Sequence, residues 1–221
     1  MLDSQTLAMM AEGTGATLYM TLMSTLFGYI LGLPMGIILV VTAPKGLRSN
    51  QVVYRILDVI VNITRSIPFL ILMILIMPFT RILVGKTYGT TATIVPLALA
   101  AAPFIARMVE SSLLEVDHGV IEAAQSMGAS LWTIIWKVLL AEARTSLIVG
   151  ATIALGTILG YSAMAGTIGG GGLGDIAMRY GYYRYQADIM IIAVVLLVLL
   201  VQILQVVGMI LSKKLDRRNT R

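Results

Sequence analysis

Glycine and charged residues near position 85 of this 221-residue chain have a spacing that could support nucleotide chemistry. Gly85, Lys86 and Thr87 match the end of a phosphate-binding loop, in which a further glycine lies five residues before the Gly-Lys-Thr triplet. That position is Thr80 in this chain. Because the glycine-rich turn that would present backbone amides to a phosphate is missing, we exclude a nucleotide site here.

A second glycine pattern resembles a dinucleotide-binding turn. Gly169, Gly171 and Gly174 match G-x-G-x-x-G, and Asp188 lies near the distance of a ribose-binding carboxylate. The fingerprint requires a β-strand before it and a helix after it in a soluble unit. A long apolar run precedes Gly169 instead, so we interpret residues 167–175 as a flexible external turn.

Groups for metal, redox or nucleophilic chemistry are scarce. The chain has no cysteine, which excludes disulfides and thiolate ligands, and His118 is its only histidine. No Asp or Glu falls near the middle of a long apolar segment, where ion-driven transporters commonly carry ionisable groups. The sequence therefore predicts no catalytic residue, metal or bound cofactor, and any transport would draw its energy from another polypeptide.

The elements that carry these residues are membrane helices. Hydrophobic residues make up 58% of the chain and charged residues 12%, and spanning helices need about 20 apolar residues each. The apolar stretches do not alternate as barrel strands do. We predict an all-α integral membrane protein with five spans, at about 19–42, 56–84, 90–108, 146–168 and 187–211, after a short external lead-in at 1–18.

Basic residues predict the orientation, because Lys and Arg accumulate on cytoplasmic loops. Twelve of the sixteen lie on one side of the predicted membrane: Lys45, Arg48, Arg55, Arg65, Arg107, Lys137, Arg144, Lys213, Lys214, Arg217, Arg218 and Arg221. This places the N-terminus outside and a basic tail, 212–221, in the cytoplasm. The net charge of +5 is then an orientation signal, and we predict no nucleic-acid partner.

Small residues in the first span predict close helix packing. Gly28, Gly32 and Gly36 form two G-x-x-x-G steps on one face. Packing within the subunit is favoured about twofold over a dimer contact on this pattern alone.

Asp58, Asn62 and Arg65 form a polar stripe on one helical face of the second span, which we expect to contact protein or water rather than lipid. Pro68 and Pro78 each favour a bend in this span. Such bends serve gating or packing, and the sequence does not choose between these roles.

Residues 116–140, called the island here, are the longest hydrophilic interruption of the apolar chain. Val120, Ala123, Ala124 and Met127 recur at helical spacing, so one amphipathic helix is predicted between Gly119 and Gly128. Ser130 is suited to cap a second helix. A partner-docking element and a simple connector between spans are both compatible with this pattern.

Glu122-Ala123-Ala124 followed by Gly128, before the last two spans, resembles the EAA motif of permease subunits of bacterial binding-protein-dependent ABC importers. Over residues 13–211 the chain is similar to permeases of methionine importers, most clearly at 65–85, 101–116 and 160–175. One departure is Ala141, where the family usually has a proline.

The resemblance implies a type I ABC importer permease in the bacterial inner membrane, forming the pathway for D- or L-methionine by alternating access. Two copies of the permease would pair, two ATPase subunits would hold ATP and Mg, and an external methionine-binding lipoprotein would deliver the substrate. The permease itself would not be an enzyme. The residues that would couple it to the ATPase are Glu122, Ala123, Ala124, Met127 and Gly128.

The resemblance also directs attention to the end of the fourth span, where Tyr161, Ser162 and Met164 are candidates for an external gate. Two alternatives remain open at this stage. One is a permease for another small amino acid, and the other is an oligomeric channel or facilitator that needs no partner.

Overall fold

The computed structural model describes residues 4–215, and all of its regular structure within that range is helical. The helices are α1 Ser4–Thr42, α2 Gln51–Ser66, α3 Phe69–Val84, α4 Thr90–Leu114, α5 His118–Ser126, α6 Leu131–Thr133, α7 Leu140–Glu142, α8 Arg144–Ala165, α9 Gly172–Ile176 and α10 Ala187–Leu215. Two π-helical segments, π1 Ile134–Leu139 and π2 Ala177–Tyr182, and a 3₁₀ turn, Gly166–Ile168, complete the chain.

Four helical stretches are long and apolar enough to cross a membrane: α1, α4, α8 with its continuation to Tyr182, and α10. Two thirds of the most apolar window of α4 is buried, compared with 11% in α10. The central helix of the fold is therefore α4, whereas α10 exposes most of its surface, as a lipid-facing helix does.

The second predicted span, 56–84, is not a single straight helix. The axes of α2 and α3 differ by 110°, and the break occurs at Ile67 and Pro68. A residue before proline is displaced from helical backbone angles, and Ile67 is extended, with φ −79° and ψ 125°. Pro78, in contrast, lies inside a continuous α3. The bend predicted at Pro68 is thus a full break, while α3 continues through Pro78.

The first and fourth helices pack closely because glycines line their interface. A Cβ atom built on Gly32 would lie 2.5 Å from the carbonyl oxygen of Ala102, and one built on Gly36 would lie 2.7 Å from the Cβ of Val109. Gly28 meets the same helix one turn earlier. The prediction that this glycine stripe packs within the subunit is confirmed.

The glycine-rich segment 167–175 is packed rather than flexible. Gly172 and Leu173 are buried against α1, and the Leu173 amide donates a 2.9 Å hydrogen bond to Oγ1 of Thr17. The Gly89 amide donates to the carbonyl oxygen of Gly169 over 2.9 Å. The turn therefore joins the beginnings of α1 and α4, and our prediction of a flexible turn is wrong, because the polar backbone atoms have partners in distant helices.

The predicted terminal segments are largely parts of helices. From Ser4 onward the expected lead-in, 1–18, is the first part of α1, so no separate surface segment precedes the first span there. Residues 212–215 of the expected tail are the last turn of α10, and 216–221 lie outside the described residues.

The structure brings the predicted cytoplasmic segments to one end of the molecule. Val41, near the end of α1, belongs to the same hydrophobic cluster as Leu113, near the end of α4, and Leu139 of the island. Arg144 at the start of α8 donates a 2.5 Å hydrogen bond to the carbonyl oxygen of Leu215 at the end of α10. We call this the island end.

Candidate functional site

Local hydrogen bonds define both ends of α5. The carboxylate of Asp117 accepts a 2.7 Å hydrogen bond from the amide of Gly119, so the helix begins at His118, one residue before the glycine that we expected to precede it. At the other end, the Gly128 amide donates to Gln125 over 2.9 Å and the next amide donates to Ala124 over 3.0 Å. Gly128 has φ +75°, the left-handed conformation that such a capping motif requires.

The predicted apolar face of α5 is only partly buried. Ala124 is 5% exposed and packs into the core cluster together with the half-buried Ile121, whereas Met127 is 82% exposed. Val120 and Ala123 are also exposed. The four residues that we placed on one face are thus divided: Ala124 anchors the helix to the subunit, and the other three are exposed.

The charged residues of α5 also lie on its outer surface. Glu122 and His118 form a 3.0 Å pair between Oε1 and Nδ1, with side chains 64% and 74% exposed. Such an exposed pair contributes little to stability. The second island helix, 131–142, is capped by Ser130, as we expected. The Oγ of Ser130 accepts a 3.3 Å hydrogen bond from the Thr133 amide.

The Ala141 position does not interrupt the second island helix. The chain remains helical from Leu131 through π1 to Glu142, and it turns at Ala143, where ψ is 0°. Ile134 and Leu139 of this segment are buried. The turn into α8 is therefore formed without a proline, because apolar anchors hold the helix against the ends of α1 and α4.

A charged network that the sequence only partly predicted connects α2 to α4. The guanidinium of Arg107 donates to Asp58, to Asn62 Oδ1 over 2.8 Å and to Glu110 Oε2 over 2.6 Å. Asn62 also donates to Asp58 over 3.2 Å. The expectation that Asp58 and Asn62 contact protein is confirmed, and Arg107 is the partner that their spacing could not identify.

Three residues at the end of α8 have different environments. Tyr161 stacks on Phe69 of α3, with ring centroids 4.6 Å apart and planes 2° apart. Met164 is 49% exposed. Ser162 is buried, and its hydroxyl donates a 2.7 Å hydrogen bond to the carbonyl oxygen of Leu159. Ser162 therefore does not line an open surface of the subunit, and its role in the gate stays a prediction.

A cavity of about 260 Å³ borders the stacked pair, at the break between α2 and α3. Its walls are formed by Thr64, Arg65, Ile67, Phe69, Leu72, Ala100, Phe104 and Tyr161. Sequence reasoning did not single out Phe69 or this cavity, because the residues come from four helices.

This arrangement combines a bundle of membrane helices, an outward-facing short helix and no cluster of metal-ligating side chains among residues 4–215. The model of the family described as "Binding-protein-dependent transport system inner membrane component" matches residues 28–221. The chain belongs to this family. It is accordingly a permease subunit of the inner membrane, and ATP hydrolysis belongs to a separate subunit.

Relatives refine this assignment. A probable D-methionine transport system permease protein of Vibrio cholerae is 51% identical over 95% of this chain and 93% of the relative. The D-methionine transport system permease protein of Escherichia coli K12 is 51% identical over 72% and 73%. A structure of the MetNI methionine ABC transporter in an inward-facing conformation has a TM-score of 0.96 and 47% identity, covering 97% of this chain and all of that one.

Proposed function

We propose that this chain is the permease of a methionine importer, in which two copies pair around the pathway. Two ATPase subunits drive it, and an external methionine-binding lipoprotein supplies the substrate. The observation that carries the proposal is the similarity to the methionine transporter structure, which extends over 97% of the chain at 47% identity. Five spans, an external N-terminus and a cytoplasmic island end belong to the same proposal.

The outer face of α5 is the proposed docking surface for the ATPase. Met127, Val120 and Ala123 are apolar and exposed, while Ala124 fixes the helix to the core. A short helix with hydrogen-bonded ends can transmit a displacement as one body, since both ends have defined partners. This is the mechanical requirement for coupling ATP-driven closure to movement of the spans.

The end of α8 supplies the proposed external gate. Met164 is exposed and nonpolar, so a pair of these side chains across a two-fold axis would close a narrow pathway without binding substrate tightly. Tyr161 is held by its stack on Phe69, which links the gate to the broken α2–α3 segment. A displacement of that segment would therefore reach the gate directly.

Reconstitution in liposomes tests the function. With ATPase subunits and binding protein, we expect ATP-dependent uptake of labelled D- or L-methionine, in excess of uptake of other small amino acids. The chain alone should not pass methionine down a gradient. Facilitated flux through the chain alone would support the channel alternative, and preferential uptake of another amino acid would overturn the substrate assignment.

A docking variant tests the role of α5. Met127→Lys adds a charge to the apolar surface but removes little packing within the permease, because the side chain is 82% exposed. We expect normal membrane insertion, loss of the ATPase subunit during purification and loss of uptake. Tyr185→Lys is the control, since Tyr185 is 91% exposed far along the chain from the island. Retention of the ATPase by both variants would contradict docking through Met127.

A further inference from the structure

Arg65, the third residue of the polar stripe on α2, is a cation next to the break between α2 and α3. It lies in the last turn of α2 and is exposed. Among residues 4–215, its side chain has no ion-pair or hydrogen-bond partner, unlike Arg107, which binds two carboxylates and an amide. Arg65 is therefore available to bind an anion that is not part of this chain.

The depth of Arg65 is unusual for a free cation. The cavity that it lines is also lined by Ala100 and Phe104 of α4. These residues lie 10 and 14 positions after Thr90, so they are about 15 and 21 Å along a helix about 37 Å long. We expected the helix that carries Arg65 to enter the bilayer with its polar stripe against protein or water, and the structure places Arg65 beside the middle of α4, close to the break at Pro68.

An unpaired guanidinium at this depth is costly when it faces lipid. Ionisable side chains inside membrane proteins instead face water-filled paths or counter-ions. Arg65 opens to a cavity rather than into the packed core, and a planar guanidinium binds a carboxylate through two parallel hydrogen bonds. The fitting ligand is thus a small molecule with a carboxylate.

The remaining cavity wall suits an apolar side chain. Phe69 and Tyr161 form a parallel stack that lines the cavity, and Ile67, Leu72 and Phe104 are apolar neighbours. Thioether sulfur makes favourable contacts with aromatic ring edges. The volume of about 260 Å³ is slightly below the range of drug-sized pockets, which begins at roughly 300 Å³. One small amino acid is the appropriate size class.

We propose that Arg65 binds the carboxylate of the transported amino acid, while Phe69 and Tyr161 contact its apolar side chain. The cavity is then a transient solute site between the broken segment and the gate. This inference rests on the proposed function, because it requires that an amino acid passes through the permease.

The test uses the complete complex with ATPase subunits and binding protein. Arg65→Gln should lower methionine uptake by on the order of tenfold or more, because a hydrogen-bonded charge is lost. Uptake by Arg65→Lys should lie between that of the unaltered complex and that of Arg65→Gln, since lysine keeps the charge but lacks the paired donors. Arg55→Gln is the matched control: Arg55 is an exposed arginine of the same helix, ten residues nearer the island end, and its variant should import normally.

A binding measurement separates solute contact from a structural role. The chain lacks cysteine, so Thr64→Cys places a single thiol at the cavity wall for maleimide labelling in the complex. L-Methionine should slow labelling several-fold, and L-methioninamide, which has no carboxylate, should not. The protection should disappear when Arg65→Gln is added.

The outcomes distinguish this inference from the proposed function. If the unaltered complex does not import methionine, the proposed function itself fails. If it imports methionine but Arg65→Gln imports equally well and methionine gives no protection, the solute site is wrong while the function stands. Loss of the paired permease in size-exclusion chromatography of Arg65→Gln would show that Arg65 is a subunit contact, which also overturns the site.

Discussion

At the scale of single residues, Gly128 has a conformational rather than a packing role. Its φ is +75°, and a Cβ atom built there meets no atom within 4 Å. A β-branched residue at this position costs about 1 to 2 kcal/mol in backbone energy, whereas Asn tolerates the left-handed region. The capped end of α5 therefore depends on a residue type and not on available space.

We expect Gly128→Val to weaken ATPase retention and uptake about tenfold, and Gly128→Asn to preserve most of both. Neither variant should change insertion, because no neighbour is displaced. Uptake in reconstituted vesicles and pull-down of the ATPase subunit measure the difference. Equal behaviour of the two variants would show that the left-handed conformation is not what coupling requires.

At the scale of helices, the α1–α4 contact depends on glycine. Gly32→Val places a side chain where a backbone carbonyl oxygen of α4 already lies, and overpacking of this kind costs roughly 1 to 3 kcal/mol. We expect a lower melting temperature in detergent and a lower yield of monodisperse protein. Gly15→Val, in the same helix with open space around it, should melt close to the unaltered protein. A larger loss from Gly15→Val would contradict this packing.

The α2–α4 connection depends on Arg107. Arg107→Gln leaves the half-buried carboxylates of Asp58 and Glu110, 29% and 12% exposed, without their cation, a loss of roughly 3 kcal/mol. Arg179→Gln removes a single pair with Asp175, in which the arginine is 58% exposed, and should cost about 0.5 kcal/mol. Thermal unfolding in detergent compares them. Restoration of stability by Asp58→Asn in the Arg107→Gln background would support unpaired charge as the cause, and an equal effect of Arg107→Gln and Arg179→Gln would refute it.

At the scale of the whole molecule, the position of the pairing axis is a prediction that cross-linking checks. Because the chain has no cysteine, Met164→Cys gives a single thiol at the proposed gate. Mild oxidation should produce a covalent dimer if the two gates meet at the axis. Ile191→Cys on α10 is the control, since Ile191 is 63% exposed on the least buried candidate span. Dimer from the second variant alone would place the pairing surface on α10.

The sequence by itself determined what depends on neighbours along the chain. The length of the apolar stretches identified a helical membrane protein, because a helix satisfies its own backbone hydrogen bonds in lipid. The capping roles of Gly128 and Ser130 could also be predicted, since their hydrogen-bond partners lie only a few residues away along the chain. Pro68 predicted a bend from its own ring, although not an angle of 110°.

Only the tertiary structure decided what depends on residues far apart in sequence. In the structure Ala124, and not Met127, is the buried anchor of α5, because the ends of other helices cover only one part of the apolar face. Ser162 is buried with its hydroxyl bonded to Leu159, Asp58 binds Arg107 of another helix, and Arg65 lines a cavity together with residues of three other helices. Side-chain type and spacing limit which contacts are possible, but the register between helices determines which are made.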